Sequence, residues 1–462
     1  MMPSTNSSIH YMGPGLPTHF PPYLARWLRW EHAILLGLAT GFWASCLLQQ
    51  SSIASFGYRT DFLGVYVGAR AAATGRGSQL YDVQVQQSLM DAAISPYRRG
   101  RLMPFIYPAY VALLFRPLGS LAFGTALRIW LLTNLAVALW TAARLASLFA
   151  GKPFAQVGVF IAFFAWVPFQ LTLFQGQLGI LPALGMIQAL VALRSGHDWR
   201  AGWWLSLGLV KPQLVLFPLL VFMVWRRWRA VAAFFLALAG ILGISIVALG
   251  SWIVKYLHFL MEYNRRGADL SLYPGAMQNW RGLVYSLFKT DESVASLSVL
   301  LLLSVASILI VFGLCYAPSS RSSNKLNFGF SLSFQEEARY AIAVLLGLLS
   351  SPHLYMHDWV VALPAGFVLW FFARESYSQD SPKRYCSGVL LWLLGVAPAV
   401  FFGAQFFWSK LTSIQLVPLY VVVLVGISIA TLENLRTVPQ IEGETHPPTP
   451  GERRPGFVVR PR

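Results

Sequence analysis

Apolar stretches close to the roughly 20 residues that cross a bilayer as helix recur along this chain, separated by short polar connections. They fall at about residues 31–50, 121–147, 156–173, 177–194, 230–250, 293–316, 337–351, 355–373, 385–404 and 412–432. A further apolar segment, 200–225, is interrupted by Lys211-Pro212, and each of its arms, about 11–14 residues, is too short to span alone. Two long polar loops stand apart, 51–119 (with a short apolar piece at 105–115) and 251–292. In the first, Asp61 opens a helical run whose Gly64, Gly68 and Ala72 share one face. Gly75 supplies a stop, and Leu80-Tyr81-Asp82 starts a second short helix. The pattern predicts an all-α, polytopic transmembrane helical bundle of about 10–12 membrane helices, short or re-entrant ones included. It forms one domain over 26–436, between a disordered, cytoplasmic N-terminus (1–25) and tail (437–462).

Composition agrees. Of 462 residues, 56% are hydrophobic and only 11% charged, with mean hydropathy +0.56, outside the range of soluble domains. The net charge of +17 would suit nucleic acid, but most Lys and Arg sit in short runs between apolar segments. Such runs set topology and meet anionic membrane lipids, so no nucleic-acid partner is expected. Residues 1–25 lack the apolar core and cleavage site of a signal peptide. Cys46, Cys315 and Cys386 lie in or beside apolar segments without metal-ligand spacing and read as small core residues.

The basic connections can all lie in the cytoplasm if 200–225 enters and leaves on one side, with Lys211-Pro212 at its deep tip. The loops 51–119, 174–176, 251–292, 351–357 and 405–411 then share the opposite, non-cytoplasmic face of a multi-pass cell-membrane protein. That brings together Asp61, Tyr107, Gln175, Gln177, Gln278, Asn279, Arg281 and His353, with Lys211 pointing towards them. A carboxylate can take a proton, cations can hold phosphate, and amides match sugar hydroxyls. Plainer roles exist for each. Asp61 can favour a helix start by its charge, Lys211 can snorkel, and Arg281 can hold its loop through carbonyls. His353 and the glutamines can serve helix ends, and His357-Asp358 reads as structural. There is no Asp-x-Asp and no cluster of histidines or acids, so neither metal nor cofactor is expected.

The ordered series Asp61-Phe62, Tyr66, Ala69-Arg70-Ala71, Leu80-Tyr81-Asp82, Tyr107-Pro108, Gln175-Gly176-Gln177, Lys211-Pro212-Gln213, Gln278-Asn279-Trp280-Arg281-Gly282 and Ser351-Pro352-His353 resembles the polyprenol-phosphate-mannose-dependent mannosyltransferases. These form family 87 of the glycosyltransferases, of the GT-C membrane fold. The chain departs from the family's common pattern at Pro108-Ala109 and at His357-Asp358. The resemblance implies a GT-C bundle with outer catalytic loops. It implies a polyprenyl-phosphate sugar donor, mannose as the sugar, and a glycan or glycolipid acceptor. It also implies Asp61 as the catalytic base; Lys211, Arg281, His353, Asn279, Gln278, Gln175, Gln177 and Tyr107 are then candidates for binding substrate. The other reading is a transporter or flippase of lipid-linked saccharides, but that class shows paired broken helices, and only one broken segment is visible.

Overall fold

A computed structural model describes residues 57–148, 153–316, 332–378, 384–395, 401, 405 and 415–436. The first apolar stretch, 31–50, and both termini lie outside the described residues. Everything described is helical or irregular, with no strand among the described residues.

Three short helices occupy the first long loop: α1 (Phe62–Ala73), α2 (Val83–Ile94) and α3 (Ala109–Gly119). The bundle follows with α4 (Phe123–Ser147), α5 (Pro153–Ala165), α6 (Val167–Phe174), α7 (Ile180–Arg194), α8 (Asp198–Leu205), α9 (Leu216–Val224) and α10 (Trp228–Leu249). The second loop folds as α11 (Ile253–Arg266) and α12 (Trp280–Phe288). The last elements are α13 (Val294–Tyr316), α14 (Phe334–Ser350), α15 (Ala362–Ser378), α16 (Arg384–Gly395) and α17 (Leu416–Arg436). Five helices among the described residues are long and apolar enough to span a membrane, or six if α5 and α6, bent by 58°, count as one broken span. This is the polytopic all-α bundle that the hydropathy pattern predicts.

Local signals start several elements. Asp82 caps α2 by accepting from the Gln84 and Val85 amides at 2.8 and 3.1 Å. Asn279 caps α12 through the Gly282 amide at 2.9 Å, and Ser333 with Glu336 forms a reciprocal capping box on α14. On α10 and α13, exposed Leu236, Ile244, Val247, Leu301 and Leu309 present apolar surface of the kind that meets lipid.

The interrupted segment folds back on itself. Asp198 at its start pairs with Arg227 at its end (3.2 Å), so both ends of the segment lie together. Between them α8 runs through a 3-10 turn (Ser206–Val210) to Lys211, and α9 returns after Pro212. Both arms pack against α10. The tip is therefore a break in the backbone ladder that faces other protein, which is where irregular backbone is tolerated at membrane depth.

The loop helices are clamped to the bundle just as firmly. α1 and α3 pack side by side, with Gly119 so close to the Ala69 backbone that no Cβ fits between them. Arg70 donates to the Gly119 carbonyl at 2.9 Å, and Tyr66 donates to the Leu121 carbonyl at 2.7 Å. This rigid pair carries the residue that opens α1, Asp61.

Candidate active site

Asp61 does not cap its helix. Its backbone is already helical and its carboxylate makes no bond to the first turn. The first amide of α1, on Phe62, which has no partner within the helix, donates instead to the Gln175 carbonyl at 3.0 Å. The carboxylate is thus left for other work, and Oδ2 accepts from Gln177 Nε2 at 2.8 Å. Gln175-Gly176-Gln177 is the sharp turn between α6 and α7, with Gly176 at φ +63°, a conformation that suits glycine. A Cβ there would also meet Phe62 Cβ at 2.8 Å. α4 anchors the turn: Trp130 Nε1 donates to the Gly176 carbonyl (2.7 Å) and Asn134 Nδ2 to the Gln177 carbonyl (2.9 Å).

Lys211, at the hairpin tip, is buried and bonded on two sides. Its Nζ lies 2.5 Å from Asp358 Oδ1 and 3.0 Å from Gln177 Oε1. Asp358 Oδ2 accepts from the Tyr355 amide at 3.1 Å and lies 3.5 Å from His357 Nε2. The charge of Lys211 is thus matched inside the protein, as a buried charge must be. Tyr107 donates its hydroxyl to Gln177 Oε1 at 3.3 Å. Burial pushes the Tyr107 phenol well above its ordinary value, so it keeps the proton that it donates.

These groups form the inner end of a cavity of about 800 Å³. Asp61, Tyr107, Gln175, Gln177, Lys211, Arg281 and His353 all line it, together with Arg99, Arg101, Tyr256, Tyr263, Asn264, Tyr273 and Tyr355. Gln175 Oε1 is buried without a hydrogen-bond partner, so it is available to a ligand donor. Asp61 is the one carboxylate among the described lining residues.

At the outer end Arg281 Nε lies 2.5 Å from Asp291 Oδ2, and its NH1 donates to Asn264 Oδ1 at 3.1 Å. Arg101 donates to the Tyr273 hydroxyl at 2.6 Å and to the Ala268 carbonyl at 3.4 Å. Arg99 donates to the Tyr58 carbonyl at 3.3 Å. Among the described residues no carboxylate pairs with Arg99 or Arg101. His353 packs on Tyr355 (rings 4.8 Å apart, edge-on) and Tyr263. Burial pushes its imidazole down to about 3, so His353 is neutral at neutral pH and offers hydrogen bonds rather than charge.

Two of the residues singled out in the sequence stand behind the wall. Asn279 is fully buried, capping α12 with its Oδ1 and donating Nδ2 to the Ser351 carbonyl at 2.6 Å. Gln278 donates Nε2 to Gln415 Oε1 at 2.5 Å, and its carbonyl accepts from Trp359 Nε1 at 3.1 Å. Both tie the second loop to residues 351–359 and leave the cavity to Arg281.

Asp358, read from the sequence as structural, does not line the cavity but pairs with Lys211, which does. The signal was available: an acid at the start of an apolar span needs a partner, and Lys211 sits inside another. The Arg98-Arg99-Gly100-Arg101 run was equally visible as positive charge in a loop assigned to the non-cytoplasmic face, against the usual bias.

A half-open cavity that gathers, among the described residues, one carboxylate, several amides and a cationic rim lies beside helices long and apolar enough to cross a membrane, the arrangement of a membrane protein with a polar site. The profile described as glycosyltransferase family 87 matches residues 105–335, half of the chain, and the chain belongs to that family. It is a membrane glycosyltransferase. The matched stretch includes Tyr107, both glutamines of the turn, Lys211 and Arg281; Asp61 and His353 fall outside it. A polyprenol-phosphate-mannose-dependent alpha-(1-2)-phosphatidylinositol pentamannoside mannosyltransferase of Mycobacterium tuberculosis (strain CDC 1551 / Oshkosh) is 26% identical over 321 residues, 66% of this chain and 67% of that protein. The protein of the same name from Mycolicibacterium smegmatis (strain ATCC 700084 / mc(2)155) is 26% identical over 357 residues, 75% of this chain and 78% of its own length. No solved structure matches the chain.

Proposed function

We propose that this protein transfers a mannosyl residue from a polyprenyl-phosphate donor to a hydroxyl of a glycan or glycolipid acceptor, on the non-cytoplasmic face of the cell membrane, with inversion. The observation that carries the reading is Asp61: a carboxylate not used as a helix cap, alone of its kind in the cavity lining described, and joined to a bound amide. Asp61 takes the acceptor's hydroxyl proton as the acceptor oxygen bonds to the anomeric carbon. The bond from that carbon to the phosphate oxygen breaks, and polyprenyl phosphate leaves with the electron pair. With no second carboxylate among the described lining residues to act as nucleophile, a single displacement inverts the anomeric centre. The step needs neither metal nor cofactor.

The leaving phosphate needs cations. Lys211 and Arg281 already face carboxylates. Arg99 and Arg101 form no salt bridge among the described residues, although the Asp61 carboxylate lies within electrostatic reach of Arg99, and each guanidinium has N–H donors beyond its bonds to the Tyr58 carbonyl or to the Tyr273 hydroxyl and Ala268 carbonyl. In this reading Arg99, Arg101 and the outward edge of Arg281 hold the phosphate, and Gln175 and the neutral His353 meet sugar hydroxyls. The mannose donor, and a phosphatidylinositol mannoside as one candidate acceptor, are drawn from the relatives' names.

The test is transfer from radiolabelled polyprenyl-phosphate-mannose by purified protein in detergent. Turnover without two compartments sets aside a pure flippase. Asp61→Asn should keep the fold and donor binding but lower turnover by about 10²–10⁴-fold. An Asp61→Asn protein that is folded and transfers at the wild-type rate sinks the assignment.

A further inference from the structure

The Gln177 side chain has only one orientation compatible with its neighbours. On one side is the Lys211 ammonium, which can only donate; on the other is the Asp61 carboxylate, which as a base can only accept. The observed arrangement places Oε1 towards Lys211 Nζ (3.0 Å) and Nε2 towards Asp61 Oδ2 (2.8 Å). Turning the amide over would set donor against donor and acceptor against acceptor. Tyr107 adds a second donor to Oε1 at 3.3 Å. The backbone beneath is held as well, since the Gln177 amide donates to the Thr172 carbonyl at 2.9 Å and its carbonyl accepts from Asn134. The amide is thus a rigid, polarised donor aimed at one oxygen of Asp61. The other oxygen, Oδ1, has no hydrogen bond from the protein among the described residues.

Lys211 is held equally tightly. Asp358 Oδ1 lies 2.5 Å from its Nζ, and Asp358 is itself gripped by the Tyr355 amide. The remaining face of the ammonium looks onto the Tyr107 ring, 5.9 Å from its centroid. Asp358 compensates its charge, and it is almost wholly buried.

We propose that Gln177 is the positioning residue for Asp61, and that the buried Lys211–Asp358 pair exists to orient Gln177 rather than to bind the donor phosphate. Gln177 pins Oδ2 and so turns Oδ1 to the acceptor hydroxyl. The pair also locks the hairpin tip to the start of the Met356–Arg374 span, so one buried contact sets both the fold and the base. The proposal rests on the reading of Asp61 as base.

The experiment measures kcat, donor KM and the pH profile of kcat on purified full-length protein with polyprenyl-phosphate-mannose. Gln177→Leu should lower kcat by about 10- to 100-fold, the scale of a misplaced reacting group, with donor KM within about twofold of wild type. Gln177→Glu keeps size and polarity and sets a second carboxylate against Asp61. A like charge disfavours ionisation of the base, so the acidic limb of kcat should move to higher pH and part of the lost rate should return there. Lys211→Met combined with Asp358→Leu leaves no stranded charge and should lower kcat without raising donor KM. A tenfold or greater rise in donor KM at unchanged kcat in that double variant would make Lys211 a phosphate ligand and overturn the proposal. So would an unshifted pH limb in Gln177→Glu, which remains readable if Gln177→Leu does not fold. The two readings separate cleanly. Wild-type turnover in Asp61→Asn removes the base itself, whereas an inactive Asp61→Asn beside a normal Gln177→Leu removes only the positioning role.

Discussion

Lys211 and Arg101 line the same cavity, yet one is buried against a carboxylate and the other stands exposed on a tyrosine hydroxyl. Arg281 falls between them, half-buried and paired with Asp291. The difference separates two uses of positive charge. A buried cation with a fixed counter-ion has spent its field on that partner and acts by geometry. An exposed one without a carboxylate keeps its field for an incoming anion, at the cost of screening by salt. In the proposed reading the inner end of the cavity serves orientation and the outer end capture.

Stability should break this comparison open most widely. Lys211→Met alone strands the Asp358 carboxylate in the bundle and should cost about 3–5 kcal/mol, read as a large fall in thermal midpoint in detergent. The double change with Asp358→Leu should recover most of that loss. If the single variant melts like wild type, Lys211 is not the buried partner described.

Next in size are the rim arginines. Arg101→Gln should raise donor KM about tenfold with kcat nearly unchanged, and the increase should shrink as salt is added to the wild-type comparison. Arg281→Gln should combine a weaker KM effect with a lowered midpoint, because Asp291 and Asn264 lose their partner. A salt-independent KM in both variants would mean that neither meets the phosphate.

Asn279→Ala should cost about 1 kcal/mol through the lost cap on α12, with donor KM unmoved, because Asn279 lies behind the cavity wall. A change in KM without a change in stability would put Asn279 back among the ligand contacts.

A further effect concerns pH. His353 is held neutral in the folded protein, its imidazole pushed down to about 3, whereas an unfolded chain protonates it near 6.5. Below about pH 6.5 the unfolded state therefore binds more protons, and stability falls as the pH is lowered. His353→Gln should flatten that slope between pH 6.5 and 5 in a thermal-melt series. A wild-type slope retained in the variant would assign the effect to other groups.

Much of this architecture could be read before any coordinates. The spans at 121–147, 230–250, 293–316 and 412–432 reappear as α4, α10, α13 and α17, because a run of about 20 apolar residues has few ways to satisfy its backbone except as a helix. Lys211-Pro212 marked the hairpin tip for the same reason: proline removes a ladder bond, and a buried lysine needs company. The glutamine pair of the 175–177 turn and Tyr107 do meet Asp61's cavity. Gln278 and Asn279 do not, though they stand beside Arg281 in the chain, since at a helix start successive side chains leave in different directions.

By itself the sequence determined the class: an all-helical membrane bundle, two polar loops too long to be mere connections, and a set of polar residues with nowhere else to gather. Hydropathy and backbone satisfaction are local properties, and they survive without knowledge of neighbours. Only the tertiary structure decided which charge meets which. Asp358 and Lys211 are 147 residues apart in the chain and Gln177 and Asp61 are 116, and nothing in either local pattern names the partner. Pairing depends on how α1, the 175–177 turn, the hairpin tip and the 3-10 turn before α15 (Met356–Val361) pack together. That same packing sets the Lys211 ammonium, at the cavity wall, against Asp358 and Gln177.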